Sequence, residues 1–132
     1  MKILLDTFTV SDYLRGLDPV VRRIQKAEPS DLAISAVTAM ELRYGASRRQ
    51  SPKLTAAVDA FLKGITILPF EAESAERAGV LRARMEAKGL GIALADCQIA
   101  ATALAGGLTL VSSDIALHRV PGLKVVDWRA AR

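Results

Sequence analysis

Short apolar runs alternate with longer segments of helical periodicity along the chain. The apolar runs are brief and lack a clean alternation with polar residues, which is typical of strands that are covered on both faces. They predict a mainly parallel central sheet of four to five strands. The runs are KILL (2–5), LAIS (32–35), ITIL (65–68), LTLV (108–111) and LKVV (123–126).

The segments between these runs predict helices. Residues 9–27 predict two short helices, and Pro19 suits the start of the second one. A further helix is predicted over 51–64, because Ser51 can cap its first turn and Gly64 can end it. The other helices are predicted over 36–49, 71–88 and 94–105. Helices on both faces of a parallel sheet give a three-layer α/β/α architecture, and we expect one domain over residues 1–132.

The helix over 36–49 carries a charged residue beside its predicted core face. Val37, Met40 and Tyr44 recur at spacings of three and four, which predicts that they face the core. Glu41 lies at the edge of that stripe. In the helix over 71–88, the expected core face consists of Ala75, Ala78, Leu81 and Met85. The carboxylate of Glu41 can be explained only together with other parts of the chain.

The composition indicates a protein that stays in the cytoplasm. Hydrophobic residues make up 51% of the chain and aromatic residues only 5%, so the expected core is mostly aliphatic. No run approaches the roughly 20 apolar residues of a membrane span. The start, MKILLD, reaches an acid after three apolar residues, too early for a signal peptide. Cys97 is the single cysteine, so no internal disulfide can form.

Four carboxylates occur where the predicted elements end or begin. Asp6 follows the first apolar run directly, and Asp114 follows the fourth closely. Glu41 lies on the helix after the second run, and Asp96 begins the helix over 94–105. Each acid taken alone has an ordinary explanation, as a helix cap, a turn residue or a solvated flank. Taken together, they predict a cluster at the carboxyl edge of a parallel sheet, where ligands bind in open α/β folds.

Such a cluster would oppose folding when it is empty, because like charges at close range raise one another's pKa. A hard divalent cation removes that cost, and Mg²⁺ prefers oxygen ligands and often keeps positions for water and substrate phosphate. The chemistry indicated is metal-assisted hydrolysis of a phosphodiester bond.

The charge distribution supports a polyanionic substrate. The chain has 18 Lys and Arg residues against 14 Asp and Glu residues, a net charge of +4. Without the four acids of the cluster, 10 acidic residues remain and the balance becomes +8. At least half of the candidate arginines are expected to be simply solvated. Four of the eight candidates are preferred: Arg15, Arg43, Arg82 and Arg84. The other four are Arg22, Arg23, Arg48 and Arg49.

Several segments resemble one protein family in the same order along the chain. ILLDT near the start, AMELRYGA in the middle, and LADCQIAATAL with TLVSSD later are similar to motifs of PIN-domain ribonucleases. The tail HRVPGLKVVDW is similar to the VapC toxins of bacterial toxin–antitoxin pairs. The resemblance covers essentially the whole chain.

The resemblance implies an α/β/α endoribonuclease that depends on Mg²⁺ or Mn²⁺. It also implies a cognate antitoxin whose C-terminal segment lies across the active site, and a homodimer within a larger toxin–antitoxin complex. By motif, Asp6, Glu41 and Asp96 match the three core acids, and Asp114 matches a fourth, more variable one. Thr7 and Ser35 match positions where hydroxyl groups near the metal are expected.

The chain departs from the family pattern at two positions. Phe8 occupies a position where many members have Asn, and the chain contains no Asn at all. Either a polar group that supports the metal ligands is lost, or Phe8 packs into the core. Ala116 stands where members with the fourth acid often carry another Asp, which weakens the expectation of a second metal.

Other classes of site lack the residues they need. A cysteine nucleophile would have only His118 as a base, and structural zinc needs about four Cys or His ligands where the chain has two. The segment GLGIAL (89–94) lacks the third glycine of a dinucleotide fingerprint. One alternative stays open, a non-catalytic RNA-binding or protein-interaction module on the same fold, and a metal-dependence assay on generic RNA separates the two.

Overall fold

The structure is a computed structural model that describes residues 1–130. The predicted domain ends at Arg132, so its last two residues lie outside the described range. Five parallel strands form one sheet in the order β3-β2-β1-β4-β5. The strands are β1 (Ile3–Leu5), β2 (Leu32–Ser35), β3 (Thr66–Leu68), β4 (Thr109–Val111) and β5 (Val125–Val126). All five predicted strands are present, and all except β2 are one or two residues shorter than predicted.

Seven α-helices occur in the described residues, and the first six correspond to the six predicted helices. The helices are α1 (Thr7–Leu14), α2 (Asp18–Lys26), α3 (Ala36–Arg49), α4 (Pro52–Lys63), α5 (Ala72–Ala87), α6 (Leu94–Gly106) and α7 (Ile115–His118). A 3₁₀ turn spans Pro29–Asp31. Neither α7 nor this turn was predicted, because a segment of three or four residues is too short to show a helical period.

Side-chain caps begin the helices that matter for the site. Ser51 accepts a hydrogen bond from the amide of Leu54 at 3.1 Å and so caps α4, as predicted. Ser35 and Asp6 cap α3 and α1 in the same way. Gly107 ends helix α6. It has a positive φ of 64°, a left-handed conformation that glycine adopts without steric cost.

The sheet separates two apolar layers, and alternate strand residues face each one. Leu4, Ala33 and Leu110 pack on one face against α5, α6 and α7. Their neighbours Leu5 and Ile34 pack on the opposite face against α1, α2, α3 and α4. This alternation follows from the two-residue period of a strand. The predicted three-layer α/β/α architecture is therefore confirmed, and both layers are mostly aliphatic.

The predicted core face of α3 is wrong at two positions. Met40 is 58% exposed and Tyr44 is 60% exposed, whereas Thr38, Leu42 and Ala46 are buried. These buried residues recur every four positions, and α3 packs through them between the sheet and its neighbouring helices. Their small or polar side chains hide the pattern, because Thr38 does not count as apolar in a periodicity argument.

The core face of α5 is correct except at its start. Ala78, Leu81 and Met85 are buried as predicted, but Ser74 is buried in place of Ala75. Within residues 1–130, no helix is both long enough and apolar enough to cross a membrane.

Candidate active site

The register of the sheet brings three polar residues side by side at its carboxyl edge. Leu5 pairs with Ile34 on one side and with Val111 on the other. The residues that follow these three are Asp6, Ser35 and Ser112, and all three are almost completely buried. The amide of Asp6 also donates to the carbonyl of Val111 at 3.1 Å. The edge of the sheet therefore begins as a buried polar row with one carboxylate at its centre.

Asp6 is held by hydrogen bonds within this row. It is 2% exposed, and its Oδ1 accepts a hydrogen bond from the amide of Thr9 at 2.8 Å, which caps α1. Burial raises the pKa of Asp6 above its usual range, although hydrogen bonds from Ser112 and Thr9 partly oppose that shift. The charge of Asp114 raises the pKa further. Asp6 thus acts as a helix cap and is also within reach of a second carboxylate.

Asp96 lies in the first turn of α6 and faces the other acids. The residues one turn further along the helix, Ile99 and Ala100, are fully buried, so the carboxylate lies at the edge of an apolar face. Burial first, and then the charges of Asp114, Asp6 and Glu41, raises the pKa of Asp96 to about 7. The structure therefore brings the four predicted acids close enough to oppose one another's ionisation.

Glu41 is positioned by a hydroxyl group from α1. The Oγ1 of Thr7 donates to Oε1 of Glu41 at 2.5 Å, a short bond to an ionisable acceptor. Oγ1 of Thr7 also lies 3.1 Å from Oγ1 of Thr38, which is fully buried. This chain of side chains joins the first turn of α1 to α3. Glu41, the charged residue beside the predicted core face of the helix over 36–49, is therefore part of the acid cluster.

Asp114 approaches the cluster from the turn after β4. Its Oδ1 accepts from the amide of Ala116 at 2.9 Å and caps the short helix α7. Its own amide donates to Oγ of Ser112 at 3.0 Å, and the same serine side chain hydrogen-bonds Asp6. Ser112 therefore connects two of the acids, and sequence reasoning did not assign it a role. The sequence feature that could have indicated a role for Ser112 is its position directly after a predicted strand.

Ser35, expected to supply a hydroxyl near a metal, is a helix cap in the structure. Its Oγ accepts a hydrogen bond from the amide of Val37 at 3.0 Å and begins α3. The register places it next to Asp6 at the end of the neighbouring strand. It therefore supports the helix that carries Glu41.

The donor set of the four acids consists only of carboxylate oxygens, which suits a hard cation such as Mg²⁺. In the part of the chain that the structure describes, no three Asp, Glu, His or Cys side chains already stand in an arrangement that could hold a metal ion. Burial first, and then the charges of Asp114, Asp6 and Glu41, oppose the ionisation of Asp96. A cation at this edge would remove that repulsion, so the residues fit one by their chemistry.

A groove of about 420 Å³ extends from Glu41 between α1 and α3. It is lined by both polar and apolar residues, among them Thr7, Phe8, Arg15, Glu41, Arg49 and Arg129. The side chain of Phe8 is 63% exposed. Of the two alternatives for Phe8, packing into the core is therefore wrong, and the loss of a polar group that supports the metal ligands stays a prediction.

A second buried acid lies near the other end of α1, and sequence reasoning missed it. Asp12 is 1% exposed, and Arg129 donates to its two carboxylate oxygens at 2.7 and 2.9 Å. Arg15 donates to it as well. These hydrogen bonds, first that of Arg129, lower the pKa of Asp12 below its usual range. No sequence signal joins these residues, since Asp12 follows no strand and its partner lies 117 positions away.

The preferred arginines do not gather at one place. Arg15 lines the groove, Arg43 pairs with Asp59, and Arg82 lies 3.4 Å from Glu86 on its own helix. Arg84 lines a different cleft, between α5 and the turn at Pro121. Of the other four candidates, Arg49 also lines the groove.

The sequence profile described as "PIN domain" matches residues 3–123. The chain is 30% identical to a protein of Salmonella typhimurium named tRNA(fMet)-specific endonuclease VapC, over 97% of this chain and 98% of that protein. It is 33% identical to Ribonuclease VapC2 of Haemophilus influenzae, again over 97% and 98% of the two chains.

Solved structures of similar proteins have the same fold. A chain of the DNA-bound VapBC of Salmonella typhimurium superposes with a TM-score of 0.87 at 29% identity, over 97% of this chain and 98% of that one. A chain of FitAcB of Neisseria gonorrhoeae superposes with a TM-score of 0.85 at 30% identity, over 96% and 97%.

Proposed function

The chain belongs to the PIN domain family, and we propose that it is a metal-dependent endoribonuclease that acts as the toxin of a toxin–antitoxin pair. The observation that carries this proposal is the convergence of Asp6, Glu41, Asp96 and Asp114 at one edge of the sheet. Both relatives described above are named as RNA-cleaving enzymes and match nearly the full length of the chain.

The four carboxylates are the groups that would hold Mg²⁺ or Mn²⁺. The chemistry that such a cation supplies when bound is a lowered pKa for water and neutralisation of charge at the phosphate. The chain contributes the placement of the oxygens: Ser112 fixes Asp6 and the loop of Asp114, and Thr7 fixes Glu41. Because the pKa of Asp96 is raised to about 7, part of this carboxyl is protonated at neutral pH, and that proton would be released when a cation binds.

The partners in this proposal are an RNA substrate and a cognate antitoxin protein. Support for the antitoxin comes from the similarity of the chain to the solved structures of VapBC and FitAcB. We also propose a homodimer, within a larger toxin–antitoxin complex. The basic balance of the chain outside the acid cluster favours a polyanionic substrate.

Cleavage of generic RNA by the purified protein tests the proposal. We expect cleavage with Mg²⁺ or Mn²⁺ and none with EDTA, because four carboxylates cannot hold a phosphate without a cation. Asp6→Ala should abolish cleavage and relieve the growth arrest that expression of the toxin alone causes in a bacterial host. Asp18→Ala is the matched control, since Asp18 is an exposed acid at the start of α2.

Two results would contradict the proposal. Undiminished cleavage in EDTA would exclude a metal-dependent mechanism. Equal toxicity of Asp6→Ala and the unchanged protein, at matched expression, would exclude Asp6 from the active site. Binding of RNA without cleavage under any metal condition would favour the non-catalytic module on the same fold.

A further inference from the structure

The groove between α1 and α3 opens directly beside the acid cluster. Thr7 and Glu41, which bond each other in that cluster, also line one end of the groove. The groove continues along α1 past Phe8 to Arg15, and along α3 to Arg49. The groove is therefore within reach of the nucleotide next to a phosphate held at the carboxylates.

Phe8 presents a large aromatic surface in the groove. The residues that follow it on α1, Thr9 and Val10, are buried, so the rotation of the helix leaves Phe8 outward. Among residues 1–130, the one aromatic pair is Tyr13 with Phe61, so the ring of Phe8 has no aromatic partner there. An aromatic face that is open beside a phosphate site is suited to stacking on a nucleobase.

Most of the residues that line the groove are apolar, but its charged lining residues are mainly arginines. Arg15, Arg49 and Arg129 line it, and Glu41 at its end is the only acid among its lining residues within the described range. Arg15 and Arg129 share the single carboxylate of Asp12, so one positive charge of that group is left over. Arg49 makes no ion pair within residues 1–130. This excess of positive charge complements a polyanion.

We propose that this groove binds the nucleotide that flanks the scissile phosphate of single-stranded RNA, with Phe8 stacked on its base and the three arginines facing its phosphate. This inference rests on the proposed nuclease function. A single strand is required, because a base within a duplex does not expose its face. The exposed aromatic ring together with the arginines suits a nucleotide as the occupant of the groove when RNA is bound.

A comparison of Phe8 variants on intact and abasic substrates tests the stacking. The site of cleavage is first mapped on a short single-stranded oligoribonucleotide. The same oligonucleotide is then made with the base removed on either side of that site. Phe8→Leu should lower kcat/KM on the intact strand by about 10-fold, within the range that one stacked base contributes. Phe8→Trp should retain cleavage, because it keeps an aromatic face.

The abasic strand separates stacking from a structural effect. With the base removed on the flanking side that occupies the groove, the unchanged protein and Phe8→Leu should cleave within about two-fold of each other, since no base remains to stack. A misfolded variant would lose activity equally on both strands. Tyr44→Leu is the matched control, because Tyr44 is an exposed aromatic residue that does not line the groove.

The inference is overturned if Phe8→Leu cleaves the intact strand as well as the unchanged protein, or if its loss persists on both abasic strands. It is also overturned if Phe8→Leu weakens only the binding of a cognate antitoxin. Fluorescence anisotropy with the uncleaved oligonucleotide measures RNA binding separately from cleavage. It therefore distinguishes a failure of the proposed nuclease function from a failure of the proposed nucleotide binding in the groove. Weaker binding by Phe8→Leu, in a protein that never cleaves, would contradict the nuclease and support the groove.

Discussion

Asp6 and Asp12 lie at the two ends of one helix and are buried to the same degree, yet their environments shift their pKa values in opposite directions. Burial raises the pKa of Asp6, which faces Asp114 and the other acids. Two arginines lower the pKa of Asp12. Burial alone therefore does not decide the state of a carboxylate in this protein: it raises the pKa of Asp6, whereas at Asp12 the hydrogen bonds from the two arginines outweigh it.

The two acids differ in whether their charge is compensated by neighbouring residues of the chain. The charge of Asp12 is compensated within the chain by Arg129 and Arg15, which tie the C-terminal segment to α1. Within residues 1–130, none of the four clustered acids forms an ion pair with Lys, Arg or His. A buried charge without a partner is costly, and the proposed function assigns the compensation at the Asp6 end to a bound cation.

The largest effect that follows from this contrast is expected for Asp96→Asn. The variant keeps the shape of the side chain and removes a charge from the cluster. Cleavage of RNA should fall by more than about 100-fold, since even the loss of a group that supports a ligand costs about 10- to 100-fold. The rise in melting temperature with Mg²⁺ should also largely disappear, because a ligand stabilises only the state that it binds.

Two melts, with and without Mg²⁺ at neutral pH, accompany this assay. Without metal, Asp96→Asn should be as stable as the unchanged protein or more stable, because a repelled charge has gone. Glu73→Gln, an exposed acid on α5, is the control. If Asp96→Asn still cleaved RNA and still responded to Mg²⁺, Asp96 would be only a residue of the first turn of α6.

At the other end of α1, we expect substitution of Asp12 to lower stability without changing the response to Mg²⁺. Asp12→Asn should lower the free energy of unfolding by about 1–3 kcal/mol, because it removes charge-assisted hydrogen bonds from Arg129 and Arg15. Its response to Mg²⁺ should be unchanged. Urea unfolding measures both quantities, with Asp18→Asn as the control for an exposed acid and arginine pair. Equal stability of Asp12→Asn and the unchanged protein would show that the pairing with Arg129 does not stabilise the fold.

The smallest effect concerns the pH dependence of stability without metal. The folded pKa of Asp96 lies above its unfolded value, so its contribution is present at low pH and is lost as the pH rises from about 4 to about 7. The folded pKa of Asp12 is lowered, so its contribution is present above about pH 4 and is lost as the pH falls below that value.

Urea unfolding in EDTA at a series of pH values checks both signs. Between about pH 4 and pH 7 the unchanged protein should lose about 1 kcal/mol that Asp96→Asn does not lose, after allowance for screening at a half-buried site. Below about pH 4, Asp12→Asn should show the shallower loss. A stability that rises through this neutral range equally in the unchanged protein and in Asp96→Asn would contradict the charge repulsion.

The sequence by itself determined the order of the elements and the location of most of the acid cluster. Strands buried on both faces must be continuous apolar runs, so the five runs identified β1 to β5. In a parallel sheet the ends of such runs meet at one edge, so residues that directly follow them, such as Asp6, could be assigned to that edge. Ser, Pro and Gly at helix ends set boundaries locally, as at Ser51 and Gly107.

Tertiary structure alone decided which surfaces these elements present and which distant charges meet. Val37, Met40 and Tyr44 form a helical stripe, but the rotation of α3 depends on how closely Thr38 and Ala46 let it approach its neighbours. The pairing of Asp12 with Arg129 joins residues 117 positions apart and leaves no local pattern. Periodicity reports on interactions within one element, whereas exposure and charge pairing arise between elements, and only the folded chain contains them.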